Sequence, residues 1–181
     1  MDLKLQERLG HPNQYNQRDL LLTMNNMGCC LFHLSRHEEA LDMFKTIFEV
    51  RLRQYGEEEM TFQAARNFAE SLVATGRHQE AKDLLREWMR KAGERRDFAP
   101  NDVITSDEST AAINVKYRQV YAMALYQDTS ASREDLVEAV ATLRELARYW
   151  KRVAGDVNPD TLEVLTELDR AGMTLEDVAA P

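Results

Sequence analysis

Apolar residues recur along the chain with the period of an α-helix. In the stretch from residue 21 to 31 they are spaced three, three, one and three residues apart, which puts them on one helix face. A polar turn, "SRH", precedes a second stripe. The two stripes are Leu21, Met24, Met27, Gly28 and Leu31, then Ala40, Met43, Phe44 and Ile47. The pattern predicts a pair of amphipathic helices.

The same pair returns 41 residues later. This shift brings Asn26 onto Asn67, Arg36 onto Arg77 and other polar positions onto their equivalents. The second stripes are Phe62, Ala65, Phe68, Ala69 and Leu72, then Ala81, Leu84, Leu85 and Trp88. Matches at one fixed offset are typical of a repeat architecture. Because a large side chain would hold two helices apart, we expect the small residues to mark close crossings. They are Gly28, Ala40, Ala69 and Ala81.

Looser copies follow, and the turns of the array are less regular there. The third copy has apolar positions at Val115, Tyr121, Ala122 and Leu125, then at Ala139, Leu143 and Leu146. Ser132, followed by acidic residues, predicts a helix N-cap. A fourth stripe is predicted at Leu162, Leu165 and Leu168. Asp169 takes the small-residue position there, so this last helix is not expected to pack as a full repeat. We read Trp88 and Trp150 as packing anchors.

One array is predicted over residues 1–181. Its parts are the end of a preceding repeat at 1–12, repeat one at 13–56, repeat two at 57–93, an inserted loop at 94–108, repeat three at 109–155, and a partial or capping repeat at 156–181. The chain therefore opens inside one repeat and closes inside another. Because terminal repeats otherwise expose core surface, we expect a fragment of a longer array or ends that pair with something.

The motifs carry a family resemblance. They are "LGHPN" at 9–13, "NMG" at 26–28, "RHEEAL" at 36–41, "NFA" at 67–69, "GRHQEA" at 76–81 and "NPDTL" at 158–162. Together they resemble tetratricopeptide repeats, and the 41-residue spacing is similar to the kinesin light chain group of these repeats. The resemblance implies an all-α, right-handed α-solenoid of antiparallel helix pairs, with a concave groove lined by the first helix of each pair. It also implies that Asn26 and Asn67 hydrogen-bond the backbone of an extended peptide. The later copies carry Val120 and Glu167 instead, so this mode is expected only in the first two repeats.

The face opposite the packing stripes mixes amides, charged groups and aromatic rings. Such a mixture fits a peptide-binding surface, although a plain solvated face with scattered apolar residues remains the alternative. Of the predicted groove residues, Arg66 and Lys116 would select acidic or C-terminal groups, and Phe32 and Tyr126 would contact apolar side chains. The predicted groove consists of Asn25, Asn26, Phe32, His33, Arg66, Asn67, Glu70, Lys116, Gln119 and Tyr126.

Composition narrows the function classes. A net charge of −8 argues against a nucleic-acid partner, which would need a basic surface. No apolar run approaches the ~20 residues of a membrane span, and the N-terminus lacks the apolar region of a secretory signal. The adjacent Cys29 and Cys30 make a poor disulfide framework, which indicates a reducing compartment. We expect a cytoplasmic protein with a protein or peptide partner, no nucleic acid and no membrane.

Candidate chemistry is sparse. Cys29 and His33 lie four residues apart on one helix face, but a structural zinc takes about four ligands, so packing is the favoured interpretation. No phosphate loop, nucleophile elbow or dinucleotide fingerprint is present. We therefore predict no metal, no cofactor and no enzyme, with an activity hidden in the 93–109 loop and the groove as a remaining hypothesis. The predicted function is a protein–protein interaction scaffold that binds an extended peptide segment in the concave groove. The alternative is a structural assembly module whose end faces stack.

Overall fold

The computed structural model describes residues 14–94 and 108–179. Within these ranges the chain forms seven α-helices and no strand. They are α1 (Gln14–His33), α2 (His37–Tyr55), α3 (Glu59–Ala74), α4 (His78–Glu94), α5 (Glu108–Tyr126), α6 (Arg133–Ala154) and α7 (Pro159–Ala179). The predicted preceding repeat at 1–12 and residues 95–107 of the predicted inserted loop lie outside the described residues.

The helices pack as a solenoid of antiparallel pairs. Each helix contacts the next one along the chain, and short turns join the two members of a pair. In addition α3 contacts α5, and α5 contacts α7, so the first helices of successive pairs lie side by side. The predicted all-α fold class is confirmed.

The turns inside the first two pairs share one construction. The Arg36 guanidinium donates from Nε and Nη2 to the two Glu39 oxygens, at 2.6 Å each. Arg77 and Glu80 repeat this bidentate pair at 2.7 Å. Planar guanidinium and carboxylate groups match in this geometry. The "R-H-x-E" motif of the repeat therefore places an Arg–Glu ion pair at the N-terminus of each second helix.

A close helix crossing explains the small residue in α1. A Cβ added to Gly28 would lie 2.7 Å from Cε1 and 2.9 Å from Cζ of the Phe44 ring in α2. The alanines at the other predicted crossings are fully buried: Ala40, Ala69 and Ala81. The crossing positions predicted from the sequence are confirmed.

Aromatic rings fill the space between the first and second pairs. Trp88 is buried, with its ring centroid 4.7 Å from that of Phe62 and 5.5 Å from that of Phe48. Phe48 also stacks on Phe68 at 5.7 Å. Offset and edge-to-face contacts of this kind stabilise a core beyond the area they bury. Trp88 is an anchor, as predicted, whereas Trp150 is only half-buried.

Two stripe positions differ from the prediction. Met27 is 55% exposed, although its repeat partner Phe68 is covered by Phe48 from the preceding pair. No helix precedes α1 in the described part of the chain, so Met27 has no equivalent cover there. In the fourth stripe Leu162 is 51% exposed, whereas Leu165 and Leu168 are half-buried and pack against the core. The buried residues of α7 are Thr161, Val164, Glu167 and Ala171.

The predicted N-cap of α6 is confirmed. The Ser132 hydroxyl accepts from the backbone N–H of Asp135 at 3.1 Å, and the Asp135 carboxylate accepts from the backbone N–H of Ser132 at 2.9 Å. This reciprocal capping box satisfies two backbone donors that the helix itself leaves free. Across the described ranges no helix is long and apolar enough to cross a membrane.

Candidate functional site

The predicted groove residues lie on the first helices, α1, α3 and α5, and we call the surface they share with the facing part of α7 the first-helix face. Its central polar groups are Asn25, Arg66, Glu70, Lys116 and Glu163. The charged members interact across the helices, since Arg66, Lys116 and Glu163 all affect the pKa of the Glu70 carboxyl. The face is therefore one continuous electrostatic environment rather than four separate helix surfaces.

Two asparagines from different repeats are joined by a hydrogen bond. The Asn67 amide donates from Nδ2 to Oδ1 of Asn25 at 2.9 Å. In turn, Oδ1 of Asn67 accepts from Nη2 of Arg66 at 2.9 Å. Asn67 is only 8% exposed, and a buried amide needs partners for both its donor and its acceptor. This amide relay, Asn25–Asn67–Arg66, fixes α1 against α3.

The repeat partner of Asn67 is placed differently. Asn26 is exposed, and no hydrogen bond involves it among the described residues. Asn25, one position earlier, takes the place facing α3. The 41-residue offset makes Asn26 and Asn67 equivalent in sequence, yet only Asn26 presents a free amide.

Glu70 lies one helical turn after Arg66 and is half-buried. Burial raises the pKa of its carboxyl, Glu163 raises it further, and the charges of Arg66 and Lys116 lower it. Within the described ranges no hydrogen bond or ion pair engages this carboxyl. A half-buried acceptor without a direct partner is available to a donor that approaches the face.

Lys116 is already neutralised within the chain. Its Nζ lies 2.7 Å from Asp160 Oδ1 and 3.3 Å from Glu163 Oε2, both on α7. The same ammonium group lies 5.8 Å from the centre of the Trp150 ring. Because two carboxylates share one ammonium, this region has an excess of negative charge.

Besides Asn67, two further predicted groove residues are buried. Gln119 is 2% exposed and donates from Nε2 to Glu163 Oε1 at 2.7 Å. Tyr126 is 6% exposed, and its hydroxyl donates to the Glu167 carboxylate. Burial and that hydrogen bond raise the pKa of Tyr126 to about 12. The expectation of an exposed Tyr126 was wrong, because α7 lies against α5 and supplies a buried carboxylate to its hydroxyl.

The end of α1 is less enclosed. Phe32 is half-buried, with its ring 5.0 Å from that of His37 and 6.4 Å from that of His33. His33 is exposed. Cys29 is half-buried, and burial raises the pKa of its thiol. The part of the chain that the structure describes has no group of three or more side chains placed to hold a metal ion.

Asp160 and Glu163 belong to the face but are absent from the predicted set. The predicted fourth stripe was aligned on its leucines, and neither Asp160 nor Glu163 was included in the predicted groove. The alternative stripe at Thr161, Val164 and Ala171 has helical spacing too. A prediction based on this second stripe would have placed Asp160 and Glu163 on the side of α7 that faces α5.

The comparison with known families bears on the first two helix pairs. Residues 19–90 match the family model of the tetratricopeptide repeat. The prediction of tetratricopeptide-type repeats is confirmed for this range. It runs from α1 into α4 and contains the whole amide relay. No curated protein and no solved structure matches the chain significantly. Tetratricopeptide repeats generally mediate protein–protein interactions, and they are typically scaffolds rather than enzymes.

Proposed function

We propose that the chain binds an extended segment of a partner protein along the first-helix face. The observation that carries this proposal is the amide relay Asn25–Asn67–Arg66, which holds polar groups of two neighbouring repeats in fixed positions. Asn26 lies beside it, exposed. The tetratricopeptide match over 19–90 supports the same region. Solenoids of this kind use such surfaces for binding.

Each group has a distinct proposed role. Asn26 pairs with the backbone of the bound segment. Asn67 holds Asn25 and Arg66 in place, and Arg66 offers its remaining N–H donors to acidic or C-terminal groups. Glu70 accepts from backbone or side-chain donors. Lys116 contributes little to selecting acidic groups, because Asp160 and Glu163 already neutralise it. The closer likeness to the kinesin light chain group, with its peptide mode, stays a prediction.

A displayed-peptide selection tests this function. The wild type, the Asn26→Ala variant and the Gln54→Ala variant are screened in parallel. Gln54 is the matched control, since it is an exposed amide on α2 outside the face. We expect a motif that binds wild type and Gln54→Ala, and that loses affinity about tenfold with Asn26→Ala, as removal of a hydrogen bond worth roughly 1 kcal/mol or slightly more would give.

The same selection can contradict the proposed binding surface. If no motif enriches, or if one motif binds all three proteins equally, the first-helix face is not the binding surface. Asn67→Ala is a poor probe, because it removes the buried amide that holds Asn25 and Arg66 in place.

A second candidate function is assembly through the end helices. Large apolar side chains are exposed on both α1 and α7: Leu20, Leu22 and Met27, then Leu162, Met173 and Val178. By helical spacing Leu20 and Met27 share one face of α1, and Leu162 and Met173 share one face of α7. Contiguous exposed apolar surface marks interaction sites. Light scattering over a hundredfold concentration range tests it. A mass that rises with concentration in wild type, and stays monomeric in Met27→Ser or Met173→Ser, supports assembly; a constant monomer mass in wild type contradicts it.

The remaining expectations also stand as proposals. We infer a cytoplasmic scaffold without enzymatic activity, with a protein partner rather than nucleic acid or membrane. The net charge of −8 supports the exclusion of nucleic acid. The two cysteines are free, Cys29 half-buried and Cys30 exposed, as suits a reducing compartment.

A further inference from the structure

A cleft of about 180 Å³ opens where the start of α1, the end of α2 and the start of α3 meet. Its lining residues are Arg18, Asp19, Leu22, Arg51, Glu58 and Met60. None of the residues predicted for the peptide groove lines it. A site here would therefore be independent of the first-helix face.

Arg51 is the unusual residue of this cleft. It is 4% exposed, although arginine is almost never fully buried unless it is paired. The one ion pair that it makes within the described ranges is long, since its Nη1 lies 3.9 Å from Glu58 Oε1. Among the described residues none accepts a hydrogen bond from its five N–H donors. Burial lowers the pKa of this guanidinium, which means that its charge is incompletely compensated.

The groups around Arg51 add to its capacity for an anion. Arg18 lies with Cζ 4.8 Å over the Tyr55 ring, and its Nη2 is 3.6 Å from Glu58 Oε2. Two guanidinium groups thus share one carboxylate. The Tyr55 hydroxyl is buried and has no hydrogen-bond partner in the described ranges. Two guanidinium groups therefore line one cleft, and a buried hydroxyl without a partner in the described ranges lies on the neighbouring Tyr55.

The charged residues that line the cleft limit the kind of anion that it can bind. The lining carries two guanidinium groups, Arg18 and Arg51, and two carboxylates, Glu58 and the exposed Asp19, so its formal charge is zero and it disfavours a dianion. A carboxylate carries one charge and is planar, so it can pair with a guanidinium through two parallel hydrogen bonds. We propose that the Arg18–Arg51 cleft binds the carboxylate group of a ligand.

The source of the carboxylate can be resolved with small probes. Propionate represents the side chain of an acidic residue, and N-acetylglycine represents the C-terminus of a peptide. Inorganic phosphate is the competing oxyanion. Each is titrated into the full chain at constant ionic strength, while the side-chain Nε–Hε resonances of arginine are followed by nitrogen-15 NMR. Propionate has only five heavy atoms and N-acetylglycine eight, so we expect binding far below the ceiling of about 1.5 kcal/mol per heavy atom, and the titration extends into the millimolar range.

Three variants frame the test. Arg51→Lys keeps the positive charge but loses the planar set of N–H donors. Arg18→Gln removes an exposed guanidinium, so we expect this variant to fold even if the buried Arg51→Lys change disrupts folding. Arg53→Gln is the matched control, an exposed arginine on the same helix that does not line the cleft. We expect a saturable shift of the Arg51 resonance, weakened about tenfold by Arg18→Gln and unchanged by Arg53→Gln.

The outcomes separate cleanly. Tighter binding of propionate assigns an acidic side chain, and tighter binding of N-acetylglycine assigns a chain terminus. A shift that never saturates, or that Arg18→Gln leaves unchanged, overturns the site. Phosphate binding more tightly than both carboxylates overturns the proposed ligand class.

Discussion

Gly28→Ala tests whether the crossing of α1 and α2 is as close as the structure shows. The added methyl group would lie 2.7 Å from Cε1 of Phe44, well inside van der Waals contact. Phe44 is buried, so its stiff ring can yield only by displacing core neighbours. Gly172→Ala is the matched control: it lies inside α7, and nothing lies within 4 Å of an added Cβ.

The two substitutions share the gain in helix propensity and differ in the steric cost of the added methyl group. Replacing glycine with alanine inside a helix stabilises it by about 1 kcal/mol. Only Gly28→Ala adds overpacking, which costs roughly 1–3 kcal/mol. We therefore expect Gly172→Ala to raise the free energy of unfolding by up to ~1 kcal/mol. Gly28→Ala should leave it unchanged or lower it by up to ~2 kcal/mol.

Urea unfolding followed by circular dichroism at 222 nm measures both values. The difference between the two variants isolates the steric term, because helix propensity cancels. Combining Gly28→Ala with Phe44→Leu should bring back part of the loss caused by the methyl group, which a double-mutant cycle detects. If Gly28→Ala stabilises as much as Gly172→Ala, the helices do not cross this closely and the packing argument fails.

Three further predictions concern one residue each. Ser35 has φ +59° where its repeat partner Gly76 has +76°, so Ser35→Gly should raise the free energy of unfolding by about 0.5–1 kcal/mol; a loss of stability in thermal melts would contradict this. Hydrogen bonds from Ser130, with Lys82 Nζ at 3.0 Å, hold the pKa of Asp128 well below its usual range. Its contribution is therefore present at neutral pH and lost as pH falls below about 4, and Asp128→Asn should flatten the dependence of the urea midpoint on pH in that range; an unchanged acid profile would refute the assignment. Trp88→Ala should cost about 3–5 kcal/mol in urea unfolding, and a cost under ~1 kcal/mol would show that the ring is not the core anchor.

The periodic pattern predicted the fold where each helix has neighbours on both sides. The stripes of α2, α3 and α4 are buried or half-buried as their spacing requires, since a helix that packs on both sides must bury its whole apolar face. In α1 and α7, which have a neighbour on one side only within the described ranges, the spacing predicted burial at Met27 and Leu162 that the structure does not show. Met27 lacks the cover that Phe48 gives to Phe68, and the leucines of α7 compete with a second, overlapping stripe.

The sequence alone determined the repeat, the turn chemistry and the crossing positions, because each follows from residue types that recur at a fixed offset of 41 residues. The tertiary structure decided which repeated residue is buried and which is free. Asn26 and Asn67 are equivalent by offset, yet only Asn67 meets a partner from another helix. Likewise Lys116 is neutralised by carboxylates more than 40 residues away. Helical periodicity specifies a face of one helix, whereas the availability of a side chain on that face depends on which distant helix packs against it.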